Sequence, residues 1–279
     1  RARELRVDLL NRRHEDAPFV CIHRLHALDE GRIALGGRRV RVKALEPRVH
    51  EPRQRAAKLV DEEVLFGAEV EHDNYRRFRI AGGQRYQARN YAIEPDASNA
   101  SYFFAAAAVT GGRVRVDDIT TDSAQGDIRF VDVLEEMGCK VNRDDKGIEV
   151  IGPERLKGID VDMKEISDTS LTLAAIAPFA DGPVRIRNIE HSRRQETDRV
   201  AAMATELRRL GVEVEEHRDG IAVTPSTPKP GAVDTYEDHR VAMSFALVGL
   251  KVPGICINDP GCVSKTFPTY FEVWQALRE

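Results

Sequence analysis

The chain has 279 residues, enough for one large domain or two of ordinary size, so neither a metal nor disulfide staples are needed to build its core. Its 42 Lys and Arg against 46 Asp and Glu give a net charge of −4, which excludes a general nucleic-acid footprint but leaves room for a local cationic cluster facing small anions. Cys21, Cys139, Cys256 and Cys262 form no CxxC pair and have no histidines at zinc spacing, so the expectation is reduced thiols and no metal site.

The longest apolar stretches, such as "LTLAAIAPFA" from 171 to 180, are too short to cross a bilayer. The opening "RARELRVDLL" lacks the apolar core and cleavage site of a signal peptide, so the expected location is the cytoplasm. Residues 1–65 are arginine-rich and weakly periodic, with little apolar surface, which predicts a loosely ordered tract. Two origins fit it: translation of a shifted frame or damaged gene, or a basic nucleic-acid arm, the second disfavoured by its near lack of aromatic residues. From Phe66, "FGAEVEHDNYRRFRIAGG" reads as the end of a repeated unit.

The repeat then declares itself in three stretches: "PDASNASYFFAAAAVTGGRVRVDDI" from Pro95, "SDTSLTLAAIAPFADGPVRIRNI" from Ser167 and "YEDHRVAMSFALVGLKVPGICIND" from Tyr236. Each has an acid (Asp96, Asp168, Asp238), a polar turn, an alanine-rich apolar segment, a Gly or Pro break and an alternating strand. Amphipathic segments follow in "DIRFVDVLEEMGCKV" and "DRVAAMATELRRLGVEV", each reaching a glycine and then a strand. The turns "DDKG" and "HRDG" lead into the strands "IEVIG" and "IAVTP". The predicted unit is helix, strand, helix, strand, strand, and about three copies make an α/β domain with its most apolar helices buried inside the sheets.

If such units pack around a pseudo-threefold axis, their helix starts converge on one face that offers free N–H groups and positive dipole ends to an anion. Three charged clusters lie at or near predicted helix starts. In "YEDHRVAM", Glu237 and Asp238 precede His239 and Arg240, with Asp238 expected to hold the Arg240 cation toward a ligand. In "HSRRQETDR", Arg199 and Glu196 are three apart and expected on one helix face, with Thr197 as a cap. In "CVSKTFPTYF", Lys265 precedes a helix expected to start around Pro268. Carboxylates in a first turn and solvated surface ion pairs are the bland alternatives at each place.

Together "DTSLTLAAIAPFADGPVRIRNI", "RRQETDRVAAMATELRRLGVEVE", "YEDHRVAMSFALVGL" and "SKTFPTYFE", in this order and spacing, closely resemble the 3-phosphoshikimate 1-carboxyvinyltransferase (5-enolpyruvylshikimate-3-phosphate synthase) family, from about Phe66 to the C-terminus. The resemblance implies the enolpyruvyl transferase fold, in which repeated helix/sheet units surround a pseudo-threefold axis with buried helices. It divides the chain into a remnant of the N-terminal domain at 1–93, divergent over 1–65, and a C-terminal enolpyruvyl transferase domain at 94–279. The implied reaction moves the enolpyruvyl group of phosphoenolpyruvate to the 5-hydroxyl of shikimate 3-phosphate and releases phosphate, with no cofactor. Among the carried-over residues, Asp168 resembles the carboxylate that contacts the shikimate hydroxyls and transfers a proton, and Glu196 resembles the second carboxylate. Arg199, Arg240 and Lys265 resemble the cations that hold phosphoenolpyruvate, with Lys265 also a candidate acid, and His239 lines the same site. His191 and Gln195 stand where many members have Asn and Lys contacting the shikimate phosphate, and Arg193 or Arg194 is the expected substitute for the lost charge.

The family's glycine-serine-lysine opening and its Ser-Ser-Gln motif have no counterpart in residues 1–65. The expectation is therefore that this chain does not complete the reaction alone. Two alternatives stand beside the first reading: the related transferase acting on UDP-N-acetylglucosamine, which "QETDR" and "KTFPTYF" fit less well, and a non-catalytic remnant or interaction protein that keeps part of the anion site.

Overall fold

The computed structural model describes the backbone of residues 6–10, 19–26 and 33–34, and residues 66–72, 77–88, 90 and 93–276. The expectation of a loosely ordered tract over 1–65 falls mostly outside these residues.

The described strands are β1 (Arg6–Leu10), β2 (Phe19–His26), β3 (Ile33–Ala34), β4 (Val70–His72), β5 (Phe78–Ile80), β6 (Arg113–Asp117), β7 (Lys140–Asp144), β8 (Gly147–Ile151), β9 (Ile159–Asp162), β10 (Val184–Arg187), β11 (Val214–His217), β12 (Gly220–Val223), β13 (Gly231–Val233) and β14 (Ile255–Asn258). The α-helices are α1 (Ala97–Thr110), α2 (Phe130–Glu136), α3 (Ser170–Ile176), α4 (Arg199–Arg209), α5 (His239–Lys251) and α6 (Tyr270–Ala276). They fall into two compact units, one holding β1 to β3 and everything from Pro95 onward, the other holding the β4–β5 hairpin.

The larger unit has three four-stranded sheets, ordered β3-β6-β8-β7, β9-β10-β12-β11 and β13-β14-β2-β1. Each repeats one pattern, a parallel pair followed by two antiparallel pairings. The expected order of helix, strand, helix, strand, strand is present, and a leading strand parallel to the next one precedes each copy. Strands β13 and β9 are too short and too mixed in polarity to announce themselves in the sequence. In the third copy the final two strands come from the other end of the chain: β2 runs antiparallel to β14, with Cys21 opposite Cys256. Strands β1 and β2, from the stretch that the sequence reading assigned to 1–93, thus belong to the larger unit.

Local chemistry explains why the copies agree. The alternating residues Val114 and Val116, Val184 and Ile186, and Ile255 and Ile257 point inward from β6, β10 and β14 and are buried. Each of these strands ends at an Asx residue with left-handed backbone, namely Asp118, Asn188 and Asp259, the residue types that tolerate this conformation best after glycine. Gly147 and Gly220 open β8 and β12 where a Cβ would collide with the carbonyl oxygens of Val116 and Ile186.

Helices α1, α3 and α5 pack against one another in the interior. Every residue of α1 from Ala97 to Val109 and all of α3 is buried. Alanine suits this place because small side chains allow close approach between helices. A buried hydroxyl pair, Ser101 with Thr172 at 3.1 Å, joins α1 to α3. Helix α6 closes one side through Tyr102–Tyr270 and Phe103–Trp274 ring contacts, with centroids at 5.8 and 5.7 Å.

Three local expectations are corrected. Asp198, not Thr197, caps α4, accepting the Ala201 N–H at 2.9 Å, so Glu196 lies ahead of the helix rather than on its face. Helix α6 starts at Tyr270, after a 3-10 turn over Pro260–Lys265. Cys139 and Cys262 are free thiols as expected, but Cys256 is disulfide-bonded.

Candidate active site

Asp168, Arg199, Glu196, Arg240 and Lys265 come from four separate segments and form one ion network. Asp168 sits just before α3 and receives Arg240 Nη2 at 2.9 Å on one oxygen and Arg199 Nη1 at 3.1 Å on the other. This ties the starts of α3 and α5, two of the three equivalent helix starts of the repeat, to each other and to the start of α4. The expectation that Asp238 holds the Arg240 cation is corrected: Asp238 caps α5 by accepting the Arg240 backbone N–H at 2.8 Å and pairs with Arg199 at 2.7 Å, while Asp168 takes the Arg240 guanidinium. Asp96 caps α1 by accepting from Ser98 and Asn99.

Arg199 is the hub. Its side chain is 2% exposed, and it donates to Asp238 at 2.7 and 3.4 Å, to Asp168 at 3.1 Å, to Gln195 Oε1 at 2.6 Å and to Glu196 at 2.8 Å. These bonds engage all of its donors. Such a guanidinium organises its neighbours and must give up a bond before it can grip a ligand. Arg240 differs: 11% exposed, it donates to Asp168 through Nη2 while its buried Nη1 has no partner. An unpartnered buried cationic donor is costly, and an anion would satisfy it.

Lys265 is 45% exposed and donates to Glu196 Oε1 at 2.6 Å. Burial acts to raise the Glu196 carboxyl, but the Lys265 ammonium and the Arg199 charge outweigh it and hold it down at about 2. His239 is buried with its Nδ1 unpartnered, 3.7 Å from Asp238. Burial first, then the nearby Arg240 charge, lowers its imidazole to about 4, so it is neutral near pH 7.

The two departures from the family pattern also reach this cluster. His191 Nε2 lies 2.8 Å from Ser167 Oγ, and Gln195 donates to Asp168 at 3.3 Å while accepting from Arg199. Of the two arginines expected as substitutes, Arg193 already has protein partners. Arg193 is engaged by Asp198 at 2.9 Å, Glu216 at 2.9 Å and the backbone carbonyls of His217 and Arg218, because the β11–β12 turn lies against it.

Two residues of the site escaped the sequence reading. Asp127 lies in the 3-10 turn Gly126–Arg129, which is fastened to α1 by Gln125, whose side chain accepts from Ala97 N–H at 2.9 Å, and to the segment before Asp168 by the Arg129–Glu165 pair at 2.7 Å. Burial first, then the charge of Asp168, pushes its carboxyl up to about 7, with Arg240 and Arg129 opposing. In the sequence it reads as an ordinary acid at a helix start. Tyr102 is buried beside Arg240, its Oη unpartnered, and burial raises its phenol to about 12. One signal was available: six residues after the repeat's acid stand Tyr102, Ala174 and Ser244, polar groups at the same place in two of the three copies.

Three like units whose buried helices pack together and whose helix starts carry a linked cluster of arginines and carboxylates define an enolpyruvyl transferase fold. The EPSP synthase (3-phosphoshikimate 1-carboxyvinyltransferase) family model matches residues 61–274, and the chain belongs to this family. It is 61% identical over 206 residues to the 3-phosphoshikimate 1-carboxyvinyltransferase of Trichormus variabilis, covering 74% of this chain and 48% of that protein. It is 51% identical over 214 residues to that of a Marinomonas species, covering 76% of this chain and 50% of the relative. The chain thus spans about half the length of the curated relatives it matches. Among solved structures, an EPSP synthase from Acinetobacter baumannii superposes with TM-score 0.68 and 25% identity over 85% of this chain and 56% of that one. The enolpyruvyl transferase NikO from Streptomyces tendae shares the fold, with TM-score 0.62 and 21% identity over 79% of this chain and 52% of its own. No helix among the described residues is long and apolar enough to cross a membrane.

Proposed function

We propose that this chain carries the C-terminal half of a site that transfers the enolpyruvyl group of phosphoenolpyruvate to the 5-hydroxyl of shikimate 3-phosphate and releases phosphate. The observation that carries the reading is the open Nη1 donor of Arg240, set between the Asp168 carboxylate and the start of α5. Both substrates are polyanions, and pre-oriented cations stabilise charge best where water is excluded.

The chemistry asks for a proton to leave the attacking hydroxyl, a proton to reach the enol methylene, and the second transfer to reverse as phosphate departs. Asp168, with both oxygens fixed by arginines, is suited to receive or orient the hydroxyl. Lys265 and Glu196 are suited to the methylene. The exposed ammonium can swing to the incoming phosphate, and when it leaves Glu196 that carboxyl loses the largest force holding it ionised and becomes a better proton carrier. His239, neutral and buried, adds no charge and serves as a wall. His191 and Gln195 offer hydrogen-bonding contacts on the shikimate side. We place this reaction in the cytoplasm, since polyanionic substrates do not cross a bilayer unaided.

Calorimetric titration with phosphoenolpyruvate, with and without shikimate 3-phosphate, tests the reading. Binding that tightens in the presence of the second substrate supports it. Arg240→Ala should weaken phosphoenolpyruvate binding by at least ~1.5 kcal/mol, the lower range for a charge-assisted bond. A folded parent chain that binds no phosphoenolpyruvate, or an alanine variant with unchanged affinity, would overturn it.

A further inference from the structure

The two residues ahead of the Asp238 cap, Tyr236 and Glu237, have φ of 56° and 58°. Consecutive left-handed residues with side chains are disfavoured and persist only where their surroundings hold them. The holder here is Glu206, an acid 0% exposed on the inner face of α4. It accepts the Tyr236 hydroxyl at 2.7 Å, the Asp234 N–H at 3.1 Å and the Arg209 guanidinium at 2.9 and 3.1 Å. Arg209 continues to Asp234 at 2.6 Å, and Asn258 donates to the other Asp234 oxygen at 2.6 Å. The turn then closes with the Asp238 N–H on Thr235 O at 2.9 Å.

None of these bonds touches the Asp168 network, yet both are anchored on the same helix. Arg199 and Glu206 are seven residues apart on α4, two turns along one face. The first grips Asp238 at 2.7 Å, and the second grips the turn that delivers it. A buried carboxylate is expensive to keep unless it is fully bonded, and this one spends its bonds on a strained turn rather than on the core around it.

We infer that Tyr236 and Glu206 are positioning residues: their hydrogen bond holds 236–237 in the left-handed conformation and thereby aims Asp238, His239 and Arg240 at the anion. What the site binds rests on the function proposed above; the latch itself does not. Once the tie is cut, the strain at position 237 drives the turn toward ordinary backbone and turns the start of α5 away. Removing the Cβ at 237 takes away that drive.

The test compares the 279-residue chain with Tyr236→Phe and with Tyr236→Phe/Glu237→Gly. Amide hydrogen exchange at Asp238 and Arg240 should rise about tenfold in the single variant, as local opening becomes easier. Its affinity for phosphoenolpyruvate should fall about fivefold, and the double variant should recover to within about twofold of the parent. A merely structural hydrogen bond would shift Tm and leave the affinity of the folded chain alone. Unchanged exchange in Tyr236→Phe, or exchange and affinity that the glycine does not restore, overturns the inference. If the parent binds no phosphoenolpyruvate, the proposed reaction fails, and the exchange measurements alone decide the latch.

Discussion

Replacing Arg199 with methionine keeps an unbranched apolar stem of similar reach and deletes the guanidinium. Asp238, 0% exposed, then loses its bonds at 2.7 and 3.4 Å and keeps only its capping bonds to α5. Asp168 and Glu196 each lose an arginine but retain Arg240 and Lys265, and both are partly open to water. The dominant cost is therefore one desolvated carboxylate, and breaking a buried pair from one side typically costs ~3–5 kcal/mol. At about 2–4 °C per kcal/mol for a chain of this size, Tm should fall by roughly 6–20 °C. Trp274, the sole tryptophan and fully buried, reports unfolding by fluorescence. Urea unfolding should place the loss in the midpoint rather than in the slope. A loss under about 1 kcal/mol, the range of exposed pairs, would mean that water reaches Asp238 and that Arg199 is not the hub described. Arg199→Lys sharpens the case, because the charge survives while the planar fork of donors does not, and an intermediate loss is expected.

Two further outcomes follow from named groups. His239, lowered from 6.5 to about 4, is neutral in the fold while protonated in the unfolded chain across that interval, so it makes stability rise with pH. Asp127, raised from 3.8 to about 7, is protonated in the fold while ionised in the unfolded chain, so it makes stability fall as pH rises through the same range. Asp127→Asn should thus gain stability relative to the parent between pH 4 and 7, with a limiting slope of about 1.4 kcal/mol per pH unit; a flat difference would show that the carboxyl titrates normally. Gly220→Ala should lose ~1–3 kcal/mol, because its Cβ meets the Ile186 carbonyl and backbone must move, whereas Gly82→Ala, with nothing within 4 Å, should stay within about 0.5 kcal/mol. Equal effects at the two glycines would refute the close approach of β12 to β10.

The sequence by itself determined the repeat and its parts. Acid caps, alanine-rich helices, alternating strands and glycine stops are local patterns, and each acts through its own few residues: Asp96 and Asp238 cap because their side chains reach N–H groups two or three positions on. Like units that bury like faces then converge, so a shared site for Asp168 and Arg240 was legible, but not that Asp168 would hold the Arg240 guanidinium at 2.9 Å while Asp238 holds Arg199 at 2.7 Å. Only the tertiary structure decided what each charge does there. Arg199 and Arg240 look alike in the sequence, but one is saturated and the other keeps an open donor, a difference set by how many carboxylates the packing of α3, α4 and α5 brings within reach. Arg193 looked available and is held by a turn more than twenty residues further on. Nothing local marks Glu206 as buried or Asp127 as desolvated, and the third sheet is completed by β2 beside β14, from the far end of the chain. Local propensity acts over a few bonds, whereas desolvation and ion pairing depend on which distant segments exclude water from the same point, and that is settled only when the chain closes on itself.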